Sequence, residues 1–234
     1  DRDGQVFEAT LVRQHIIPPT VYWHRDGDVG VILITWFNRG TQEGVETAIL
    51  DLYDDVGQDK LKGVILDLRG NPGGFLHHAV NIADMFIRSG EIVSVRGRHP
   101  AAQEVFRAHA DDLLDGRPIV VLIDGNTASA SEILASALQD SGRAVLVGSS
   151  TYGKGSVQQI FELPNAGEVK VTWARYYAPS GYSLTKYGVY PSLCTATGES
   201  DAETILANVI GRGAEAARNL RLLRDIDRLS PAER

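Results

Sequence analysis

Short apolar runs that alternate with amphipathic stretches constrain the fold of this chain more than any other feature. Four runs have the length and composition of buried strands, at 63–69, 91–96, 118–124 and 144–148. Three stretches between them repeat apolar residues at helical spacing, at 41–57, 79–90 and 128–139. Strands that alternate with helices in this way predict an α/β domain with a largely parallel, buried sheet.

Two strand pairs and two terminal elements are predicted outside this alternation. One pair joins 20–24 to 29–37 through a turn at 25–27, and the other joins 158–163 to 169–177. An alternating pattern at 5–17 predicts one more strand, which stops at Pro18 and Pro19. A polar helix with a weak apolar face is predicted to close the chain.

The composition of the chain argues for a globular domain and against several other classes of protein. Its 234 residues, 43% of them hydrophobic, suffice for one sizeable domain. The formal charge of −7, with no cluster of Lys and Arg, argues against a nucleic-acid surface. Cys194 is the one cysteine, so no internal disulfide forms, and no apolar run approaches the roughly 18 residues of a membrane span.

The first candidate functional segment is 124–132 (DGNTASASE), between a predicted buried strand and a predicted helix. A serine at that junction has its hydroxyl near the helix N-terminus, where free amides favour developing negative charge. Ser129 is therefore a candidate nucleophile for acyl transfer. Ser129 and Glu132 also fit a capping box, and this segment alone favours that structural interpretation.

The second segment is 148–158 (GSSTYGKGSVQ). Lys154 lies between two glycines, which let the backbone bend tightly toward a partner. A lysine that packing removes from water can exist as a neutral amine and take a proton from serine. Gln158, four residues later, could orient that amine. Most lysines, however, are solvated surface charges.

The same segment nearly matches a phosphate-binding loop, because Gly148, Gly153 and Lys154 follow a predicted strand with the spacing of that motif. Two features argue against nucleotide binding. Gly155 stands where the magnesium-binding Ser or Thr should follow the lysine, and Pro164 interrupts the helix that such a loop opens.

The third segment is 67–74 (DLRGNPGG). A glycine pair after a buried strand exposes backbone amides that could point at a carbonyl oxygen and complete an oxyanion hole. The alternative is an ordinary tight turn in which Asp67 and Arg69 pair locally. We interpret His77 and His78 as surface or core histidines, because neighbours in a helix face different directions.

Together, and in this order, the segments at 66–74, 129–140 and 153–158 resemble the C-terminal processing peptidases, also called tail-specific proteases. The runs at 177–181 (YAPSG) and 188–191 (GVYP) are similar to the end of the core of that family. The resemblance extends roughly from Val29 to Leu193. One departure is Ser192, where the family tends to have an aspartate.

The resemblance implies a role for each candidate residue. Ser129, rather than Ser131, is the implied nucleophile, Lys154 the general base and Gln158 the residue that positions it. The implied oxyanion donors are the backbone amides of Ala130 and Gly74. No metal and no organic cofactor are implied.

The resemblance also implies a fold and a division of the chain. The implied fold is a crotonase- or ClpP-like spiral of β-β-α units that forms a protease core. Residues 1–19 are interpreted as the terminal strand of a missing or truncated PDZ domain, residues 20–198 as the peptidase core and residues 199–234 as a C-terminal helical segment.

The implied function is a serine endopeptidase that cleaves unstructured C-terminal regions of protein substrates. Its partners would be protein or peptide chains, with a homo-oligomer or a regulatory protein as further partners and no nucleic acid or nucleotide. The implied location is the bacterial periplasm or cell envelope, although no signal peptide is recognisable in this sequence. A catalytically silent scaffold and an acyl-CoA enzyme on the same fold are the alternatives.

Overall fold

The computed structural model of the chain describes residues 16–109 and 111–195. The helices of this part are α1 (Thr41–Val56), α2 (Leu76–Asp84), α3 (Ala130–Asp140) and a 3-10 turn at Pro100–Ala102. The strands are β1 (Val21–Asp26), β2 (Val29–Ile34), β3 (Gly63–Asp67), β4 (Gly90–Gly97), β5 (Gln103–Ala108), β6 (Ile119–Ile123), β7 (Ala144–Gly148), β8 (Ser156–Glu162), β9 (Glu168–Tyr177) and β10 (Leu193–Cys194).

The larger of two sheets has six strands in the order β1-β2-β3-β6-β7-β10. All neighbours from β2 to β10 pair in parallel, and only the edge strand β1 is antiparallel. This confirms the predicted α/β class and the largely parallel sheet. Its central strands are apolar because helices and loops cover both faces.

The smaller sheet is antiparallel, in the order β5-β4-β9-β8. The sequence predicted the β8–β9 hairpin and β4, but it did not predict β5. The residues of β5 (QEVFRA) are mostly exposed, so the strand lacks the apolar alternation by which strands are recognised. It is held by pairing with β4, a tertiary contact.

Helix α1 forms where its apolar spacing predicted it. Val45, Ile49 and Leu52 are buried on one stripe. The helix ends at Val56, and Gly57 follows with φ 94° and donates its N–H to the carbonyl of Tyr53. Helix α2 is shorter than predicted, because the chain leaves it through tight turns after Asp84 rather than near Gly90.

Three loops that carry the candidate residues follow the carboxyl ends of three adjacent parallel strands. The segment 68–75 follows β3, 124–129 follows β6, and 149–155 follows β7. Parallel strands end at the same edge of a sheet, so the topology alone brings these loops together.

The predicted strand at 5–17 lies almost entirely outside the described residues, as does the predicted closing helix. Within the described part, no helix has both the length and the apolar composition that crossing a membrane requires.

A buried ion pair ties the segment before β6 to the turn before β7. The guanidinium of Arg143 donates to both carboxylate oxygens of Asp112, at 2.8 and 3.1 Å. The side chains of Arg143 and Asp112 are only 14% and 3% exposed. Asp112 also accepts the backbone N–H groups of Leu114 and Gly116, so its lone pairs are well used.

We expect Arg143→Ala to lower the free energy of unfolding by about 3 kcal/mol, because it leaves the Asp112 charge buried without its partner. Arg88→Ala is the matched control, since Arg88 pairs with Asp115 at 3.4 Å on the surface. Its effect should stay below about 1 kcal/mol. Urea unfolding of both variants makes the comparison, and equal effects would contradict the structural role of the buried pair.

Candidate active site

The loop from β6 to α3 is organised by the carboxylate of Asp124. Its Oδ1 accepts the backbone N–H groups of Gly70, Asn126 and Thr127, each at 3.0 Å. Burial tends to raise the pKa of Asp124, but these hydrogen bonds to the charged form outweigh burial and hold the pKa below its usual value. The 124–129 loop is thereby joined to the loop that follows β3.

Ser129 sits at the end of this loop in a backbone conformation that L residues rarely adopt. Its φ is 60° and its ψ is −116°, the combination that glycine favours at the first central position of a type II′ turn. Such a conformation costs on the order of 1–3 kcal/mol and persists only where its surroundings impose it. Helix α3 begins at the next residue, Ala130, as the sequence predicted to within two residues.

The side chain of Glu132, fully buried, is the main support of this site. Its Oε2 accepts the backbone N–H groups of Ser129 at 2.7 Å and Lys154 at 2.8 Å. Its Oε1 accepts the backbone N–H of Gly153 at 2.7 Å and the hydroxyl of Thr151 at 2.5 Å. A buried carboxylate requires such partners, and here it has four.

The shared Oε2 atom fixes how close the two main candidates lie. Because the amide nitrogens of Ser129 and Lys154 both bond to one oxygen, their separation cannot exceed the sum of the two bond lengths. The structure therefore brings the backbones of Ser129 and Lys154 side by side. Sequence analysis assigned Glu132 only to a capping box, and the half of that box in which Glu132 accepts the Ser129 amide is formed.

Lys154 lies at an open cleft of about 500 Å³. The cleft is lined by Gly70, Pro72, Asn126, Ala128, Tyr152 and Lys154. Packing does not remove Lys154 from water in this structure, because the residue is exposed on the rim of the cleft. Ser129 itself is half-buried.

The loop that carries Lys154 leads into strand β8, whereas a phosphate-binding loop leads into a helix. This agrees with the sequence-based argument against nucleotide binding. Gln158 lies on β8, next to a β-bulge, and is exposed. Within the described residues no hydrogen bond joins the side chains of Gln158 and Lys154.

The segment 186–189 contacts the 149–155 loop on the side away from Glu132 through hydrogen bonds. The hydroxyl of Thr151 accepts the N–H of Val189 at 2.7 Å, and Gly153 accepts the N–H of Lys186 at 3.0 Å. A Cβ placed on Gly188, which has φ 64°, would lie 2.6 Å from the carbonyl oxygen of Thr151. This close approach explains why glycine stands in the 188–191 run (GVYP).

The preceding 177–181 turn is anchored to the end of α3. The carboxylate of Asp140 accepts both the N–H of Ser180 at 2.9 Å and its hydroxyl at 2.7 Å. Burial raises the pKa of Asp140, against the effect of these two hydrogen bonds. Nearby, Ser192, the departure noted in the sequence, accepts hydrogen bonds from Gln139 and from the backbone of Leu146.

The glycine turn after β3 packs directly against the loop that carries Ser129. The buried side chain of Asn71 donates to the carbonyl of Ile34 at 2.7 Å and accepts the N–H of Gly73 at 2.9 Å. A Cβ on Gly73 would lie 2.7 Å from the Cβ of Ser129 and 2.9 Å from the amide nitrogen of Ala130. The turn is therefore more than the local Asp67–Arg69 pair that sequence analysis offered as the alternative, although that pair also forms.

Gly74 presents its backbone toward the open side of this turn. It forms an isolated parallel bridge with Phe37, in which its neighbours Gly73 and Phe75 make the two hydrogen bonds. The N–H and C=O of Gly74 consequently face away from Phe37. In the described part of the chain neither the Gly74 amide nor the Ala130 amide has a hydrogen-bond acceptor. One of these free donors, at Ala130, is next to Ser129 in the chain, and the other, at Gly74, is next to Gly73, which packs against Ser129.

No cluster of three or more His, Cys, Asp or Glu side chains within residues 16–109 and 111–195 is arranged to hold a metal ion. The elements of the site are a hydroxyl, an amine and free backbone amides. These are the groups that acyl transfer by an activated serine requires.

Comparison with known proteins gives a family match. The model of peptidase family S41 matches residues 28–194. A carboxy-terminal-processing protease of Bartonella bacilliformis is 44% identical over 186 residues, which are 80% of this chain and 43% of that protein. A carboxyl-terminal-processing protease of Synechocystis sp. is 41% identical over 189 residues, 79% of this chain and 43% of that protein.

A solved structure is also similar. The photosystem II D1 C-terminal processing protease matches with a TM-score of 0.70 and 29% sequence identity, over 83% of this chain and 53% of that chain. The present chain spans less than half the length of the two curated relatives described above.

The strain at Ser129 predicts an unusual order of stabilities. Ser129→Gly should be more stable than Ser129→Ala by about 1 kcal/mol or more, because glycine adopts the observed φ and ψ without a Cβ penalty. Both variants lack the hydroxyl, so the comparison isolates the backbone. Urea unfolding measures the difference, and a Gly variant less stable than the Ala variant would show that the conformation is not strained.

The role of Glu132 predicts a large effect from a small change. Glu132→Gln places an amide donor against the donors of Ser129, Gly153 and Lys154, so the free energy of unfolding should fall by about 3 kcal/mol. Glu46→Gln, on the exposed face of α1, is the control and should change stability by less than about 0.5 kcal/mol. Calorimetry measures the free energy of unfolding of both variants. Similar losses in the two variants would contradict the role of Glu132 as the main support of the site.

Proposed function

This chain belongs to peptidase family S41, and from that membership we propose that it is the core of a serine endopeptidase with Ser129 as nucleophile and Lys154 as general base. The single observation that carries the proposal is the Oε2 atom of Glu132, which accepts the amides of both residues. These bonds come from the backbone amides of the two residues, and they hold Ser129 and Lys154 at the close range that a catalytic pair requires.

The proposed reaction begins when Lys154, as a neutral amine, takes the proton of the Ser129 hydroxyl. The serine oxygen attacks a peptide carbonyl, and the negative charge that develops is stabilised by the amides of Ala130 and Gly74. Lys154 then protonates the leaving amine, and the acyl group remains on Ser129. Water hydrolyses this acyl-enzyme in the second half of the reaction.

In this proposal, bound substrate removes the amine of Lys154 from water. Lys154 is exposed at the cleft, and a peptide chain lying over Tyr152 and Pro72 would exclude water from its amine. Desolvation favours the neutral form that a general base needs. Gln158 is proposed to orient the amine once the cleft is occupied, since catalytic hydrogen bonds often tighten only with substrate bound.

The finer details of fold and division are part of the same proposal. We infer a crotonase-like spiral of β-β-α units. It is supported by the path of the chain, which runs from β3 in one sheet through α2 to β4 in the other sheet. Residues 20–198 would be the peptidase core, preceded by the end of a PDZ domain at 1–19 and followed by a helical segment at 199–234. The match covers 43% of each of the two curated relatives, which leaves room in those proteins for a tail-reading domain.

We propose that the substrates are unstructured C-terminal regions of other proteins, in keeping with the names of the relatives. An extended chain is the form that fits an open cleft bounded by backbone donors. The proposed location, the periplasm or cell envelope, rests on the resemblance to the C-terminal processing peptidases alone. A homo-oligomer or a regulatory partner protein belongs to the proposal as well.

The test is digestion of a loosely folded protein with an apolar C-terminus, with the products identified by mass spectrometry. The chain should cut, and Ser129→Ala and Lys154→Ala should each reduce the rate by about a thousandfold or more. Ser131→Ala and Lys170→Ala are the matched controls, because Ser131 bonds to the backbone of Asn71 and Lys170 lies on the distal hairpin. Both controls should retain most of the activity.

A rate unchanged in Ser129→Ala or Lys154→Ala would refute the assignment of that residue. If the chain does not cut, the assay is repeated with a PDZ domain of a relative fused ahead of Asp1. Inactivity of that fusion too would favour the catalytically silent scaffold over the enzyme.

A further inference from the structure

Two large aromatic side chains next to the Gly74 backbone are exposed. Trp36 is 57% exposed and Phe75 is 54% exposed, although each neighbours a buried part of the chain. Phe37, which bridges Gly74, is 1% exposed. We call Trp36 and Phe75 the aromatic pair.

The bridge between Phe37 and Gly74 explains why both rings face outward. Side chains alternate between the two faces of extended backbone, so Trp36 points away from the core that Phe37 enters. Phe75 follows Gly74 in the paired segment and lies on the same outer face. The Trp36 ring also covers Gly74 closely, since a Cβ on that glycine would lie 2.5 Å from the ring atoms Cδ1 and Nε1.

The backbone of Gly74 is open to a partner. The N–H and C=O of Gly74 face away from Phe37, and the described residues supply no hydrogen-bond partner for either group. An extended peptide whose carbonyl lies at the Gly74 amide would therefore pass beside the aromatic pair. The side chains of that peptide that point to the outer face would meet the rings.

The surroundings of the aromatic pair suit an apolar group rather than a charged one. The ring of His78 lies 6.0 Å from that of Phe75. Burial, and then the charges of His77 and Arg39, lower the pKa of His78, which keeps its imidazole neutral at pH 7. Exposed aromatic surface of this kind gains free energy when apolar groups cover it, and the rings themselves return little for desolvating a carboxylate. Arg39 acts on His78 but is exposed, so a carboxylate would gain only a weak, solvent-screened attraction from it.

We propose that the aromatic pair, Trp36 and Phe75, is the specificity-determining surface of this site and binds an apolar side chain adjacent to the scissile bond of the substrate. This inference rests on the proposed peptidase function for its biological meaning. The inference predicts selective binding of an apolar side chain at Gly74, and this binding can be measured without cleavage.

Binding is measured with the 234-residue chain carrying Ser129→Ala, so that no probe is hydrolysed. The probes are short unstructured Gly–Ser peptides with one central Phe, Leu or Asp, titrated by calorimetry. The Phe and Leu peptides should bind about tenfold or more tightly than the Asp peptide. Adding Trp36→Ala or Phe75→Ala should reduce this ratio severalfold, and Trp36→Phe should retain most of it.

Trp23→Ala is the matched control, because Trp23 is an exposed tryptophan on β1 whose indole bonds to Asp51. It should leave the ratio unchanged. Thermal unfolding of each variant confirms that the site is still folded, and Trp36→Phe keeps the test open if an alanine variant is unstable. Equal affinities for the Phe and Asp peptides, or a preference that survives loss of both rings, would overturn the proposal.

The outcome separates this inference from the peptidase assignment. If the unmodified chain cleaves nothing while the Ser129→Ala chain retains a ring-dependent preference, the catalytic proposal fails and the aromatic pair remains a recognition surface. If the chain cleaves peptides and neither cleavage nor binding depends on the rings, the peptidase assignment stands and the role of the aromatic pair fails.

Discussion

One buried carboxylate, that of Glu132, is the interaction on which the site depends. It has left water entirely, and that is tolerable only because three backbone amides and one hydroxyl satisfy its two oxygens. Its partners come from the start of α3 and from the loop after β7, two segments that the sheet brings to one edge but does not by itself join. Loss of any partner would leave charge unpaired in a medium of low dielectric constant, so the arrangement behaves as a unit.

Close backbone packing is the second constraint, and it follows from the first. Once Glu132 has fixed Ser129 beside Lys154, the glycine turn after β3 must approach Ser129 without a side chain in the way. Gly73 makes this approach, with room for no Cβ beside Ser129 and Ala130. Gly188 does the same on the far side of the lysine loop. Ser129 has its strained φ and ψ at this point of close packing, where Gly73 lies against its side chain and Glu132 accepts its amide.

The sheet determines where all of this happens. Loops after β3, β6 and β7 meet because those strands are parallel neighbours, and the loop after β2 adds Trp36 and Phe37 at the same edge. The amides of Gly74 and Ala130, the Ser129 hydroxyl and the cleft at Lys154 therefore lie at the same edge of the sheet. In the proposed function, an extended peptide along this edge would meet the proposed oxyanion donors, the amine and the aromatic pair.

The sequence by itself determined the α/β class, the bounds of α1 within a residue and the segments that hold Ser129, Lys154 and Gly74. These follow from local causes: apolar periodicity, glycine at turns and a motif order that is read along the chain. Tertiary structure alone decided that β5 pairs with β4, that Glu132 is more than a capping residue and that Trp36 lies beside Gly74. Each of these depends on contacts between separate segments of the chain, which no local pattern records. The exposure of Lys154 also became visible only in three dimensions, because burial is set by what packs against a residue and not by its neighbours in the chain.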